Sequence, residues 1–494
     1  MYARLAFRHL ALRPARTLLL LGGYGVGVAV MIVLLSIGEA LLAQARDEKL
    51  VGGGDVTVLP EGIDVEVMKT GGLGGMYFSI DHARFIQLQL LASPRLAADV
   101  QAVAPQIDGA LLYLRTPGGI ERTVRASGEI PSATRAVGAL PALAAGAWED
   151  DAGDARWARP TPAQLRDDID HFHLPPEELT AAERASWAEW HYFNVLSADR
   201  KRWAFITLLA GGDVPNGRWG GEVLVTLREE GKSERRFVAY APSSAVSLST
   251  ARADLAVGES RVTVLPDGRY DVHAIARAAN GSGETATVNL VVSPAPRAYF
   301  PGASLGGTIV SGYAVPALRA AASGEICVSG GCERFDAAQA YHDHNWGVWQ
   351  GVTWEWGAAR AGDYTFLYGR VDAPGSDRGS LILYLIDSLG FRSLFRPSSI
   401  AYEDARTISV NGRNVRVPAT ARMIDVRGDD TLRVELQVED AIGTDMRRGS
   451  ERGGRGAALS HPYFIQMKGI ARLSGRIGGQ PVAGTGAGFF ETYR

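Results

Sequence analysis

Apolar and polar positions divide this chain into three textures. Near the start, Thr17 to Gly38 runs without a charge as TLLLLGGYGVGVAVMIVLLSIG. At a helical rise of about 1.5 Å per residue that run reaches roughly 33 Å, enough to cross a bilayer core. Arg4, Arg8, Arg13 and Arg16 precede it, a bias that keeps the start cytoplasmic and places the rest of the chain outside. A cleaved signal peptide is the alternative. Its apolar region is normally about 7–15 residues and ends at an Ala-x-Ala-like site, whereas this run continues into Glu39-Ala-Leu-Leu-Ala-Gln with no such site. The pattern predicts a single-pass anchor in the inner membrane, with the N-terminus cytoplasmic and the bulk of the chain periplasmic. Later apolar runs such as Leu381–Ile386 are strand-length, and one span cannot form a transport pathway by itself.

The second texture is mixed. Pro141–Pro162 is rich in Ala, Gly, Asp and Pro and reads as a linker. Thr161–Ala188 has helical features, interrupted by Leu174-Pro175-Pro176, with a second short helix expected over Glu177–Glu189. Beyond Trp190 the third texture is β throughout. Gly221–Leu227 and Arg235–Tyr240 flank a polar turn, and Val262–Leu265 and Tyr270–Ala274 flank Pro266-Asp267-Gly268. Thr407–Val410 and Asn414–Val417 flank Asn411-Gly412, a strong two-residue hairpin signal. Strands at hairpin spacing with almost no helix predict a mainly β fold of antiparallel barrels or sandwiches. About 300 residues of such texture suits two barrels.

Composition narrows the function classes. At 494 residues the chain should form two to four domains. A net charge of -3, from 51 basic and 54 acidic side chains, argues against nucleic acid as a partner. Cys327 and Cys332 bracket the turn signal Val-Ser-Gly-Gly. Facing positions across a tight hairpin come close enough for a disulfide, which suits an exported protein; a pair of buried thiols is the alternative. The Arg/Gly-rich stretch Arg447–Gly456 reads as a mobile loop with its charges in water. Asn280-Gly281-Ser282 matches a glycosylation acceptor but is too short to carry weight. No dinucleotide fingerprint, phosphate loop or nucleophile elbow is visible, so no cofactor is expected.

The densest chemistry is the run Tyr341-His342-Asp343-His344-Asn345-Trp346-Gly347. On a strand, His342, His344 and Trp346 share one face, and Tyr341, Asp343 and Asn345 the other. In a barrel one set points inward. Asp343, hemmed by Tyr341, Trp346, Trp354 and Trp356, is a candidate acid whose pKa an apolar surround would raise. His342 or His344 could relay protons or activate a water. The other reading of Asp343 is a structural carboxylate where two barrels join. Two histidines two apart could share a metal, but a third ligand is needed; His461, His191 and His273 are available, their spacing proves nothing, and the expectation is no metal.

Three motifs spread over the β region carry a family resemblance: Glu189-Trp190-His191-Tyr192-Phe193-Asn194, the run at 341–347, and Gly486-Ala487-Gly488-Phe489-Phe490-Glu491. In this order they resemble the CrtC/AttH-like family, which includes carotenoid hydratases (hydroxyneurosporene synthases), AttH-type proteins and related cyclases. Trp354-Glu355-Trp356 matches the W-x-W that comes after the central motif in the hydratases. His191 stands where the family usually has a second Trp, and Val348-Trp349-Gln350 lacks the hydratases' acidic stretch. The resemblance implies two lipocalin-like barrels holding an apolar ligand. Upstream, LAFRHLALRPARTLLLLGGYGVGVAVMIVLLSIGEALLAQ and VGGGDVTVLPEG resemble the first membrane helix and periplasmic start of MacB/FtsX-type ABC transporter permeases.

The expected organisation is a transmembrane anchor over 1–45, a permease-like stalk over 46–140, linker and short helices over 141–188, and barrels over 189–345 and 346–494. The resemblance implies acid-initiated hydration, isomerisation or cyclisation of a C=C bond in an isoprenoid or lipid-like substrate. Asp343, His342 and His344 would be catalytic, and Tyr341, Trp346, Trp354 and Trp356 substrate-binding. Glu189, Asn345 and Glu491 would be structural. A lipophile carrier, or an accessory subunit of an ABC-type export complex, is the alternative.

Overall fold

The computed structural model describes residues 12, 14–47, 54–56, 58, 80–138, 148–158, 160–176, 179–213, 216–305, 311–349, 351–373, 378–446 and 461–494. It is mainly β, 56% strand against 16% helix. Two compact units divide the chain, one of residues 1–78 and 100–151, the other of residues 79–99 and 152–494.

The smaller unit holds helix α1 (Pro14–Asp47) and a hairpin of β1 (Gln106–Arg115) and β2 (Glu121–Glu129). Within α1, Pro14–Ile37 has a mean hydropathy of 2.5 and none of it is buried, so it is long and apolar enough to cross a membrane.

In the larger unit the first sheet contains β3 (Trp187–Leu196), β4 (Arg202–Asp213), β5 (Arg218–Glu229), β6 (Arg235–Pro242), β7 (Val246–Leu248), β8 (Leu255–Val257), β9 (Ser260–Val264), β10 (Tyr270–Ala278), β11 (Thr285–Pro294), β12 (Phe300–Leu305), β13 (Ser311–Val328) and β14 (Gly331–Val348). The ladder runs β11-β13-β14-β3-β4-β5-β6-β10, and β10 pairs again with β11 along eight residue pairs. Eight antiparallel strands thus close a barrel, with no free edge in the ring. Strands β9, β8 and β7 extend from β10 as a flap. Alternation drives the closure: Tyr270, Val272, Ala274 and Ala276 of β10 are buried with Ala286, Val288, Leu290 and Val292 of β11 in one core.

The second sheet contains β15 (Thr353–Ala361), β16 (Tyr364–Asp372), β17 (Ile382–Asp387), β18 (Gly390–Phe395), β19 (Ala401–Glu403), β22 (Thr420–Arg427), β23 (Asp430–Asp445), β24 (Tyr463–Ile477) and β25 (Gln480–Tyr493). Its order is β18-β17-β16-β15-β25-β24-β23-β22-β19. The sheet curls without closing its ladder, and side chains bridge the gap. The Arg396 amide donates to Asp425 Oδ2 at 2.7 Å, and Arg427 Nη1 to the Leu394 carbonyl at 3.4 Å. Hairpin β20 (Arg406–Val410) and β21 (Arg413–Val417) packs Val410, Val415 and Val417 into this second core. Its turn residues Asn411 and Gly412 both have positive φ, 49° and 77°, the conformation an Asn-Gly type I′ turn requires. A disulfide joins Cys327 and Cys332, which face each other across the β13–β14 hairpin.

Helix α5 (Pro162–Ile169; α2 to α4 are Ile80–Ala92, Pro131–Ala136 and Ala152–Ala158) starts at a capping box of Thr161 and Gln164. The next helix, α6 (Ala181–Ala185), is shorter than the pattern over Glu177–Glu189 suggests. Strand β3 begins at Trp187 because its alternate side chains are drawn into the barrel core, and that burial overrides local helix propensity. Residues 79–99, inside the stretch read as a stalk, belong to the β unit. Phe85 of α2 packs edge-on against Tyr299 at 5.4 Å and Phe391 at 6.0 Å, and Arg95 clamps Asp387 through contacts of 2.7 and 2.6 Å. Apolar contact and a bidentate ion pair tie this segment to the β body. The loop expected over Arg447–Gly456 lies outside the described residues.

Gly357 sets how closely β15 approaches its neighbours. A Cβ there would stand 2.5 Å from the Tyr368 ring and 2.7 Å from the Phe490 ring, both fully buried. Gly357→Ala should therefore cost about 1–3 kcal/mol through overpacking, measured as a lowered urea midpoint at unchanged slope. An unchanged midpoint would mean that these rings move aside freely.

Candidate functional site

Strand β14 is buried on both faces over Ala340–His344, and the motif at 341–347 sits there. Inward, His342 and His344 are fully buried in the first barrel; outward, Tyr341 and Asp343 are buried against the second sheet. The register places His344 opposite His191 and His342 opposite Phe193 on β3, with Ala314 and Ala317 facing them on β13. Those alanines leave room for two imidazoles in a barrel core.

The inward site is built around Asp170, which caps the C-terminus of α5 with extended backbone. The segment after α5 plugs one end of the barrel, with Phe172 in its core and the His173 ring stacked 3.9 Å from Trp346. Asp170 is fully buried. Its Oδ2 accepts from Tyr270 Oη at 2.5 Å and faces His342 Nε2 at 3.3 Å, while Oδ1 pairs with His344 Nδ1. On its far side, His344 Nε2 lies 3.1 Å from Glu189 Oε1. Glu189 also accepts the His173 amide at 3.0 Å and faces His173 Nδ1 at 2.9 Å. Burial alone would lower the His344 pKa, but the Asp170 charge and hydrogen bond, then Glu189, raise it to about 9. Burial likewise favours the neutral carboxyl of Asp170, yet the His344 charge and the hydrogen bonds of His342 and His344 hold it well below the usual range. An imidazolium clamped between two carboxylates is a stable charge arrangement and a poor proton shuttle.

The outward site is the acidic one. Tyr341 Oη donates to Asp343 Oδ2 at 2.8 Å and Asn345 Nδ2 to Oδ1 at 2.7 Å. Trp356 Nε1 of β15 donates in turn to Tyr341 Oη at 2.7 Å. Nearby, Glu491 of β25 accepts from Trp354 Nε1 at 2.9 Å and from Gln466 Nε2 at 3.2 Å, and Gln466 Nε2 also reaches Tyr192 Oη at 2.9 Å. Burial, then the nearby Glu491 charge, raise the Asp343 pKa to about 8, against the pull of the Tyr341 and Asn345 hydrogen bonds. Burial raises Glu491 as well, opposed by hydrogen bonds from Trp354, Tyr192 and Gln466. At neutral pH Asp343 therefore carries a proton.

Towards the surface an aromatic rim leads to these carboxyls. Trp349 lies 5.2 Å from Trp190 and 5.8 Å from Trp354, which in turn lies 5.3 Å from Phe464 and 5.0 Å from Tyr493. Trp190, Trp349, Trp354 and Phe464 are half-buried. Deeper, a cavity of 10 Å³ is walled by Asn194, Tyr341, Ala358, Arg360, Thr365 and Phe489, about the room one water needs.

The structure thus separates residues that the linear motif joins. Asp343, Tyr341, Asn345, Trp354, Trp356 and Glu491 meet between the sheets. His342, His344, Glu189 and Trp346 lie on the barrel side, and Trp346 packs on His173 rather than joining the other two tryptophans. Sequence reasoning missed Asp170, His173 and Tyr270 of the inward site and Tyr192 and Gln466 of the outward one. The run Asp170-His171-Phe172-His173 was the available signal for the first group; in the second, Tyr192 lay inside the motif at 189–194, and Gln466 had no signal.

No family model matches the chain, and no curated protein matches it. Among solved structures, the fold is similar to a protein provisionally assigned as AttH from Nitrosomonas europaea (16% identity, 64% of this chain and 98% of that one, TM-score 0.43). It is similar also to kievitone hydratase from Nectria haematococca (13% identity, 67% and 98%, TM-score 0.39) and to CghA with Sch210972 (12% identity, 68% and 96%, TM-score 0.41).

Stability should report the buried acid directly. The folded Asp343 pKa of about 8 exceeds its ordinary 3.8, so the native state holds a proton that the unfolded chain releases. The contribution is fully present below pH 3.8 and is lost as pH rises through about 8. The urea midpoint should fall across that window, and Asp343→Asn should flatten the fall. Parallel pH profiles for the two proteins would refute the assignment.

Proposed function

We propose that the larger unit acts on an apolar, unsaturated isoprenoid or lipid-like molecule, with Asp343 as the acid that starts hydration, isomerisation or cyclisation of a double bond. The observation that carries this reading is Asp343 itself: a buried carboxyl beside a second buried carboxyl, Glu491, behind a rim of tryptophans. The proton on Asp343 would pass to one alkene carbon, leaving a cation on the other. Water then adds, and the proton it sheds restores the acid. Rings at Trp354, Trp356 and Tyr341 present π faces that favour a cation. His342 and His344 lie on the far side of β14, so they would act on the site only through the strand. The order and content of the three motifs support the substrate class, and helix α1 supports delivery of the substrate from a membrane in an extracytoplasmic setting. A docked ABC export component remains a partner this reading accommodates through the N-terminal segment.

A second reading rests on the 10 Å³ cavity, which admits a water but no substrate tail. In that reading the Trp356–Tyr341–Asp343 chain fastens the two sheets, and the protein carries or docks without chemistry.

Incubation of the full-length protein with a mixed isoprenoid extract, followed by mass spectrometry, separates the two. The expected result is a product heavier by one water or an isomer, with a rate that falls as pH rises through about 8. Asp343→Asn should slow it by about 10²–10⁴-fold while ligand binding persists. Equal product formation by both proteins would overturn the acid role; binding with no product from either would favour the carrier.

A further inference from the structure

The inward cluster contains a donor set that the proposed acid chemistry does not use. His191 Nε2 faces the Ala253 carbonyl at 2.9 Å, and His342 Nδ1 faces the Tyr192 carbonyl at 3.1 Å. A carbonyl only accepts, so these outer nitrogens carry the hydrogens. Each neutral ring then turns a lone pair inward, on Nδ1 of His191 and Nε2 of His342. His191 Nδ1 is buried and has no hydrogen-bond partner, an orphaned acceptor in a barrel core. His342 Nε2 faces Asp170 Oδ2 at 3.3 Å, longer than the roughly 2.7–2.9 Å of a charge-assisted hydrogen bond. That spacing matches the edge of about 3.3 Å of a tetrahedron whose centre bonds its corners at about 2.0–2.1 Å. Asp170, His191 and His342 each place one ligand atom within 4.8 Å of the others.

We propose that Asp170, His191 and His342 bind one divalent first-row transition-metal ion, for which zinc fits best. Two imidazoles and a carboxylate are a borderline-soft donor set that suits zinc over magnesium or calcium. Pinning each outer ring nitrogen to a carbonyl is the arrangement that orients metal-bound histidines. His344 takes the other Asp170 oxygen, so Oδ2, which accepts from Tyr270 Oη, keeps a second lone pair for the metal. Tyr270 Oη, 2.5 Å from Oδ2, stands close enough to complete the coordination directly or through a water. The ligands come from β3, β14 and the plug after α5, so the ion would lock the plug into the barrel. The other comparable grouping among the described residues, Glu325 with Cys327 and Cys332, has its sulfurs tied in the disulfide.

The test uses the full-length protein in detergent, stripped with chelator and dialysed against zinc chloride. We expect about one zinc per chain, a raised melting temperature, and a zinc X-ray absorption spectrum with scattering from two imidazoles and oxygen. His191→Gln and His342→Gln should each weaken binding at least about tenfold, and His273→Gln, on the partly exposed face of β10, should not. If either variant fails to fold, the wild-type absorption spectrum decides. Less than about a tenth of a zinc per chain, a first shell without imidazole, or unchanged affinity in both folded variants would overturn the proposal.

Discussion

The structure depends on burying the stretch Ala340–His344 of strand β14 from both sides. A strand covered on one face tolerates polar side chains on the other, because water satisfies them. Here each face meets protein, so the polar groups of residues 341–345 must find partners inside it or pay desolvation unopposed. The inward imidazoles find Asp170 and Glu189, and the outward carboxyl finds Tyr341 and Asn345. The inward partners come from outside the motif, from the plug after α5 and from β3, whereas the outward pair lies within it and is tied to β15 only through Trp356 Nε1 on Tyr341 Oη.

The same burial gives the two faces opposite electrostatics. On the barrel side an imidazolium between two carboxylates retains its charge, because each charge is matched within hydrogen-bond distance. Between the sheets Asp343 and Glu491 share a low-dielectric space with only neutral donors, so burial pushes both pKa values up, that of Asp343 to about 8. One strand thus holds a fixed charge cluster and a neutral acid back to back. Between β5 and β23, the Arg228–Asp440 ion pair, through contacts of 2.8 and 3.0 Å, joins the two sheets.

Much of this was legible from residue pattern. The mainly β texture, the uncharged N-terminal helix and the hairpins at Pro266–Gly268 and Asn411-Gly412 come from alternation and turn chemistry, which are local. The two faces of the motif were equally legible, since side-chain alternation on a strand needs no tertiary information. The boundary at Trp187 and the placement of 79–99 were not, because both are decided by contacts with strands far away in sequence.

By itself the sequence determined that His342 and His344 would be parted from Asp343 by the plane of a strand, that the Asn-Gly turn would close its hairpin, and that one apolar helix would precede a β body. Only the tertiary structure decided which face looks into a barrel, that Asp170 from 172 residues upstream completes the histidine cluster, and that Glu491 stands across from Asp343. The physical reason is that alternation is set by backbone geometry within a strand, whereas partner choice is set by barrel closure and sheet packing, which join positions that no local period connects.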